Sequence, residues 1–275
     1  MTAKKELRML INATHLESRV AIVENGVLQD LHIESIERNR LRGNIYKGTV
    51  VRVEPAIQAC FVDFGGDRNG FLALNDITPQ WWKKSAEGKK RPRIEEIISA
   101  GMHLIVQCTR EPEGNKGAAL TTSISLPGRY VVFLPDTEHN GGISKKIDDA
   151  DERKRLKSVL TKLGPKMKGH SLIIRTVGIG QTKTELERDL GYLLRFWSRI
   201  RDAFKRASRP GALFLEQDVV VRSVRDYFTP DMDEVLIDNP KAFECVTAYA
   251  DAAMPRQKTR FKLYKGRQPL LANAR

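Results

Sequence analysis

The sequence predicts an α+β chain of several subdomains. Three observations carry that expectation: a hairpin signal near the N-terminus, five short glycine-punctuated strands after residue 40, and two amphipathic helices set among further strands. At about 150 residues per domain, a chain of 275 residues has room for more than one core.

Arg19–Val23 and Val27–Ile33 read as strands flanking Glu24-Asn25-Gly26. Asn-Gly between apolar strands is a hairpin signal, because both residues tolerate positive φ. Gly43–Val53, Ala59–Phe64, Asn69–Leu74, Leu104–Cys108 and Ala118–Thr122 follow as five short strands, the pattern of a small closed barrel of the OB type. Tyr130–Leu134 is a further strand. Leu156, Val159, Leu160 and Leu163 then recur at helical spacing, with Asp148, Asp149, Asp151 and Glu152 at the start and Gly164 at the stop. Ser171–Thr176 reads as a strand. Thr182 and Glu185 form a capping box opening a long helix whose stripe is Leu186, Leu190, Leu193, Trp197, Ile200 and Phe204, ended by Arg209-Pro210-Gly211. Val219–Val224, Val235–Asp238 and Phe261–Tyr264 read as strands, with a helix over Lys241–Ala252 between the last two.

Lys and Arg number 47 against 34 Asp and Glu, a net charge of +13. That excess favours a polyanionic partner, nucleic acid or an acidic membrane surface. No apolar run approaches the roughly 18 residues of a membrane span, and Met9-Leu10-Ile11, broken at Asn12, is no signal peptide. Cys60, Cys108 and Cys245 lie far apart, and the five histidines have no ligand spacing. No zinc site or disulfide framework is expected, and the compartment reads as cytosolic and reducing. Phosphate-loop, nucleophile-elbow and zinc-protease motifs are absent from the sequence. Asp63, Asp226 and Asp238 stand alone, which suits turn or cap roles better than a metal site.

Alternation places Cys60, Val62 and Phe64 on one strand face and Phe61 on the other; Leu72 and Leu74 likewise oppose Phe71. Two phenylalanines on the poorer face of a basic barrel make either a base-stacking platform or packing beneath a neighbouring domain. Trp81-Trp82-Lys83-Lys84 and Lys89-Lys90-Arg91-Pro92-Arg93 offer phosphate contacts or a solvated loop, and Lys116 in Asn115-Lys116-Gly117 is equally open. Arg175-Thr176, at a strand end before a glycine-containing loop and a helix start, suits a phosphate monoester or an arginine paired with an acid.

Arg8-Met9-Leu10-Ile11-Asn12-Ala13-Thr14, Asn44-Ile45-Tyr46-Lys47-Gly48, Phe61-Val62-Asp63-Phe64-Gly65, Gly114–Thr122 and Ile237-Asp238-Asn239-Pro240 closely resemble the bacterial ribonuclease E/G family, in order over essentially the whole chain. The resemblance implies a degenerate ribonuclease-H-like subdomain split between residues 1–39 and 219–275, an inserted S1-type OB-fold barrel over 40–122, and a mixed α/β 5′-sensor region over 123–218. It implies RNA contacts at Phe61, Phe71 and Lys116, and a 5′-monophosphate pocket at Gly128, Val132, Arg175 and Thr176. In the family the catalytic carboxylates that bind Mg2+ lie in a following deoxyribonuclease-I-like subdomain, and a Zn2+ link between protomers lies beyond it. The chain is therefore expected to hold no catalytic residue and to bind neither metal itself. It is expected to be the part of a cytoplasmic, homo-oligomeric endoribonuclease that binds single-stranded RNA and senses its 5′ end. The rival expectation is a standalone, non-catalytic protein recognising RNA 5′ ends.

Overall fold

The computed structural model describes residues 6–14, 16–35, 41–86, 88–90, 92–137, 141–167, 169–215 and 219–273. The boundaries expected at 39–40 and 218, Arg91 of the basic stretch, His15 and His139 lie outside the described residues. The chain divides into two compact units, Met1–Asn39 with Gln217–Arg275, and Arg40–Glu216.

The first unit begins with an antiparallel meander of β1 (Leu7–Ala13), β2 (Glu17–Glu24) and β3 (Val27–Ser35). Its β2–β3 turn is Asn25-Gly26, with φ of 49° and 82°, the left-handed pair that a two-residue hairpin requires.

The second unit opens with β4 (Ile45–Glu54), β5 (Ala59–Asp63), β6 (Gly70–Ala73), the short helix α1 (Ile94–Ile97), β7 (His103–Arg110) and β8 (Ala119–Thr121). The strands pair in the order β4-β5-β6-β8-β7, and β7 returns to β4, closing a five-stranded barrel consistent with an OB fold. Cys60, Val62, Leu72, Leu104, Val106 and Leu120 fill it, joined by Ile94 and Ile97 of α1.

A second layer of this unit consists of β9 (Leu126–Pro127), β10 (Val131–Leu134), β11 (Gly142–Ile143), α2 (Ala150–Leu163), β12 (Ser171–Ile174) and α3 (Lys183–Arg206). The strands form a sheet in the order β11-β12-β10-β9. The apolar stripe of α3 packs with Val131, Phe133, Leu172 and Ile174. Both predicted helix starts are present: Asp149 accepts from the Glu152 N–H at 2.8 Å, and Thr182 with Glu185 makes the capping box. A strand without a sequence signal, β13 (Gly211–Phe214), pairs with the beginning of β4, Ala212 opposite Tyr46 and Phe214 opposite Ile45. Buried Lys47 on β4 donates to the carbonyls of Phe204 (3.4 Å) and Ala207 (2.5 Å). These lie at the C-terminal end of α3, where carbonyls lack helical partners and the helix dipole favours a cation.

The chain completes the first unit with α4 (Val219–Tyr227), β14 (Glu234–Ile237), α5 (Pro240–Ala253) and β15 (Phe261–Leu263). β14 and β15 run parallel to β1, giving the sheet order β15-β14-β1-β2-β3. The strand expected over Val219–Val224 is instead the first part of α4. Its valines favour a strand in isolation, but Val220, Val221 and Val224, followed by Phe228, are buried at helical spacing, and burial of that face outweighs a weak local propensity. At the sheet's centre Asp238 accepts from Asn12 Nδ2 (2.6 Å) and Ala13 N (3.0 Å), tying the ends of β14 and β1 together. Asn239 caps α5 through the Ala242 N–H at 3.1 Å.

Candidate nucleic-acid interface

Phe61 and Phe71 stand directly opposite each other in the β5–β6 ladder. Alternation turns Cys60, Val62 and Leu72 into the barrel core, leaving Phe61 half-buried and Phe71 36% exposed. The two rings meet edge to face, with centroids 6.2 Å apart at 72°, and neither belongs to the core cluster. The Arg52 guanidinium lies 5.3 Å from the Phe61 centroid. Lys116 closes a tight turn in which Glu113 and Lys116 exchange backbone hydrogen bonds of 3.1 and 2.9 Å. Phe61, Phe71, Arg110, Lys116 and Ala119 line one open pocket of about 570 Å³, together with the carboxylates of Glu111 and Glu113. Aromatic faces beside cations supply the two chemistries that hold single-stranded nucleic acid, base stacking and phosphate attraction.

The basic aromatic stretch is built differently. Trp82 Nε1 donates to the Ile77 carbonyl at 3.1 Å, and the Trp81 ring meets Phe204 edge-on at 5.8 Å. Lys83 donates to the Glu95 carbonyl at 2.8 Å, and Lys89 pairs with Glu96 at 2.7 Å. Trp82 is therefore tied into the fold, Trp81 stays half-buried beside Phe204, and two of the lysines hold α1 in place.

A second constellation gathers around the loop between β9 and β10. Arg175 Nη1 donates to the carbonyls of Gly128 (2.7 Å) and Arg129 (3.3 Å), while the Arg175 backbone N–H donates to Tyr130 at 2.8 Å. From α3, Asp189, 1% exposed, accepts the backbone N–H groups of Arg129 (3.2 Å), Tyr130 (2.7 Å) and Val131 (3.0 Å). Burial pushes the Asp189 carboxyl above its usual range, opposed by those N–H groups and by Arg129. A Cβ on Gly128 would sit 2.7 Å from both Asp189 carboxylate oxygens, so only glycine lets the loop come this close. Thr176, exposed, begins the short 3-10 turn Thr176–Gly178, and half-buried Val132 pairs with Pro127 and Ile173. The structure thus brings Phe61, Phe71 and Lys116 to one pocket and Arg175 onto Gly128. Residue-level reading misses Asp189. Its signal is a carboxylate on the apolar face of a helix, between Leu186 and Leu190, which must find donors.

The acids are otherwise engaged. Asp63 accepts from the Gly65 N–H at 2.9 Å, Asp226 pairs with Arg225 at 2.9 Å, and Asp238 holds Asn12. Among the described residues no group of three or more His, Cys, Asp or Glu is placed to hold a metal ion. Burial pushes the Cys60 and Cys108 thiols up to about 12 and about 11, which removes them as nucleophiles at neutral pH. Among the described residues no helix is long and apolar enough to cross a membrane.

A model of the Ribonuclease E/G family matches residues 125–275. Ribonuclease E of Haemophilus influenzae is 43% identical over 267 residues, covering 97% of this chain and 28% of the relative. Ribonuclease E of Escherichia coli is 41% identical over 268 residues, covering 97% and 25%. Ribonuclease G of Escherichia coli is 37% identical over 265 residues, covering 95% and 54%. The chain spans about a quarter of the ribonuclease E relatives and about half of the ribonuclease G relative. With 151 of its residues inside the family model and this identity along nearly all of its length, the chain belongs to the ribonuclease E/G family.

Proposed function

We propose that this chain is the RNA-binding and 5′-end-sensing portion of an endoribonuclease that cleaves single-stranded RNA in processing and decay in the bacterial cytoplasm. The observation that carries the reading is the Phe61–Phe71 pair, facing away from a closed barrel core and sharing a pocket with Lys116. The sheet order β15-β14-β1-β2-β3 supports reading residues 1–39 and 219–275 as a ribonuclease-H-like subdomain, with Asn12 and Asp238 bonded to each other. The closed barrel supports an S1-type module over 40–122, and the β10–β12 layer a sensor over 123–218.

In this reading the barrel clamps the strand while Gly128, Val132, Arg175 and Thr176 receive a terminal 5′-monophosphate. Arg175, fixed by two loop carbonyls, presents a planar guanidinium in a set orientation, and Thr176 adds a hydroxyl. A monoester, with up to two charges and three acceptor oxygens, matches such a cradle. Cleavage is assigned to the whole protein as a homo-oligomer, where Mg2+ would supply an activated water and Zn2+ a link between protomers. The chain's own contribution is positioning.

Binding of a fluorescent single-stranded oligonucleotide, followed by anisotropy, tests the reading. Wild type binds, and Phe61→Ala with Phe71→Ala weakens binding without lowering the melting temperature. Unchanged affinity in the double variant overturns it. The 275-residue chain is also expected to leave RNA intact at any Mg2+ concentration. Cleavage abolished by substituting one of its own aspartates would contradict that.

A further inference from the structure

A second cavity lies in the seam between the barrel and the α3 layer, within the unit Arg40–Glu216. It is about 210 Å³ in volume, below the range of drug-sized ligand pockets and suited to a single planar group. One wall is a face of α3, where Trp197, Arg201, Phe204 and Lys205 recur at helical spacing. The other wall carries Trp81 and Gln80.

With its amide oriented to suit both neighbours, Gln80 donates to Asp136 Oδ2 and accepts from Trp81 Nε1, each at 3.1 Å. Trp197 is 2% exposed, with its Nε1 closed to solvent, so its ring forms an apolar floor. Arg201 and Lys205 are exposed and outnumber Asp136, so the mouth favours an anion. Lys47, on the Phe204 and Ala207 carbonyls and 5.0 Å from the Phe204 centroid, fixes this end of α3 and adds positive charge.

Aromatic walls and two cations at the rim together describe a nucleotide. We propose that this cavity is a second subsite for single-stranded RNA, taking one nucleotide apart from the Phe61–Phe71 face. The base lies against Trp81 and Phe204, and the adjoining phosphate meets Arg201 and Lys205. This assignment rests on the reading of the chain as an RNA-binding protein.

Two of the chain's three tryptophans line the cavity, which gives it an optical signature that the phenylalanine face lacks. The probe is a 5′-hydroxyl oligouridylate long enough to reach both places, titrated into the 275-residue chain while tryptophan emission and anisotropy are recorded. Saturable quenching is expected. In Arg201→Ala/Lys205→Ala, two exposed positions whose loss leaves the melting temperature unchanged, the quench is lost. There the log–log salt dependence of binding becomes shallower by about 0.7 per phosphate contact removed. Phe61→Ala/Phe71→Ala needs more RNA but reaches the same quench at saturation. If Arg201→Ala/Lys205→Ala retains quench and salt slope while Phe61→Ala/Phe71→Ala weakens binding, the cavity takes no RNA and the barrel reading stands. If wild type binds no RNA, both fall together.

Discussion

On the barrel, Phe61 and Phe71 touch each other and leave the core to Cys60, Val62 and Leu72. At the β9–β10 loop, by contrast, Gly128, Asp189 and Arg175 lock each other in place through buried or half-buried polar contacts. The first is chemistry laid on a finished scaffold. The second is chemistry that is also part of the scaffold. Changes on the barrel face should therefore alter binding alone, whereas changes around the loop should alter stability and binding together.

The largest effect is expected at Asp189. Asp189→Ala strands three backbone N–H groups beneath the loop and should cost about 3–5 kcal/mol of stability in a denaturant titration. Asp189→Asn, which keeps one acceptor oxygen, should cost less. A loss below about 1 kcal/mol for the alanine variant would show that the loop does not depend on this carboxylate.

Next come Phe61→Ala and Phe71→Ala, each expected to weaken single-stranded RNA binding by about 1–3 kcal/mol with little change in melting temperature. A fall in melting temperature with unchanged affinity would make these rings packing residues and erase the contrast between the two regions. Arg175→Lys is third. Lysine cannot reproduce two parallel donors, so the advantage of a 5′-monophosphate over a 5′-hydroxyl, at most about 1.5–3 kcal/mol per charge-assisted bond, should shrink in a competition assay.

The smallest concerns acid. Hydrogen bonds from Arg155 and then the Gly180 N–H hold the Glu152 carboxyl down at about 2, against an ordinary 4.5. A depressed carboxylate stabilises the fold above its unfolded value, so this contribution is complete above about pH 4.5 and disappears as pH falls toward 2. With Arg155 40% exposed, solvent screening limits it to less than about 1 kcal/mol. Glu152→Gln should therefore remove a small stability difference between pH 5 and pH 3, read from urea midpoints.

The same contrast explains what the sequence reveals. Phe61 and Phe71 are legible because strand alternation is local, and the Asn25-Gly26 turn and the Thr182–Glu185 box are legible because each is written within a few residues. Arg175-Thr176 is legible as a strand end, but Gly128 and Val132 enter only through family resemblance. The reason for Gly128 is the carboxylate of Asp189, distant in sequence, whose oxygens would lie 2.7 Å from any Cβ at that position, which no local pattern encodes. The strands β9, β11 and β13 are two to four residues long and exist through their partners, β13 through β4. The valine run at 219–224 misleads because its helical identity depends on which face the fold buries.

The central claim is that one region grips the strand and the other reads its end. Affinities of matched 5′-monophosphate and 5′-hydroxyl oligonucleotides for wild type, Phe71→Ala and Arg175→Lys test it directly. The account predicts that wild type prefers the monophosphate, that Phe71→Ala weakens both RNAs by the same factor, and that Arg175→Lys shrinks the preference while leaving the 5′-hydroxyl affinity in place. Equal affinity of wild type for the two RNAs, or equal weakening of both by Arg175→Lys, would contradict it.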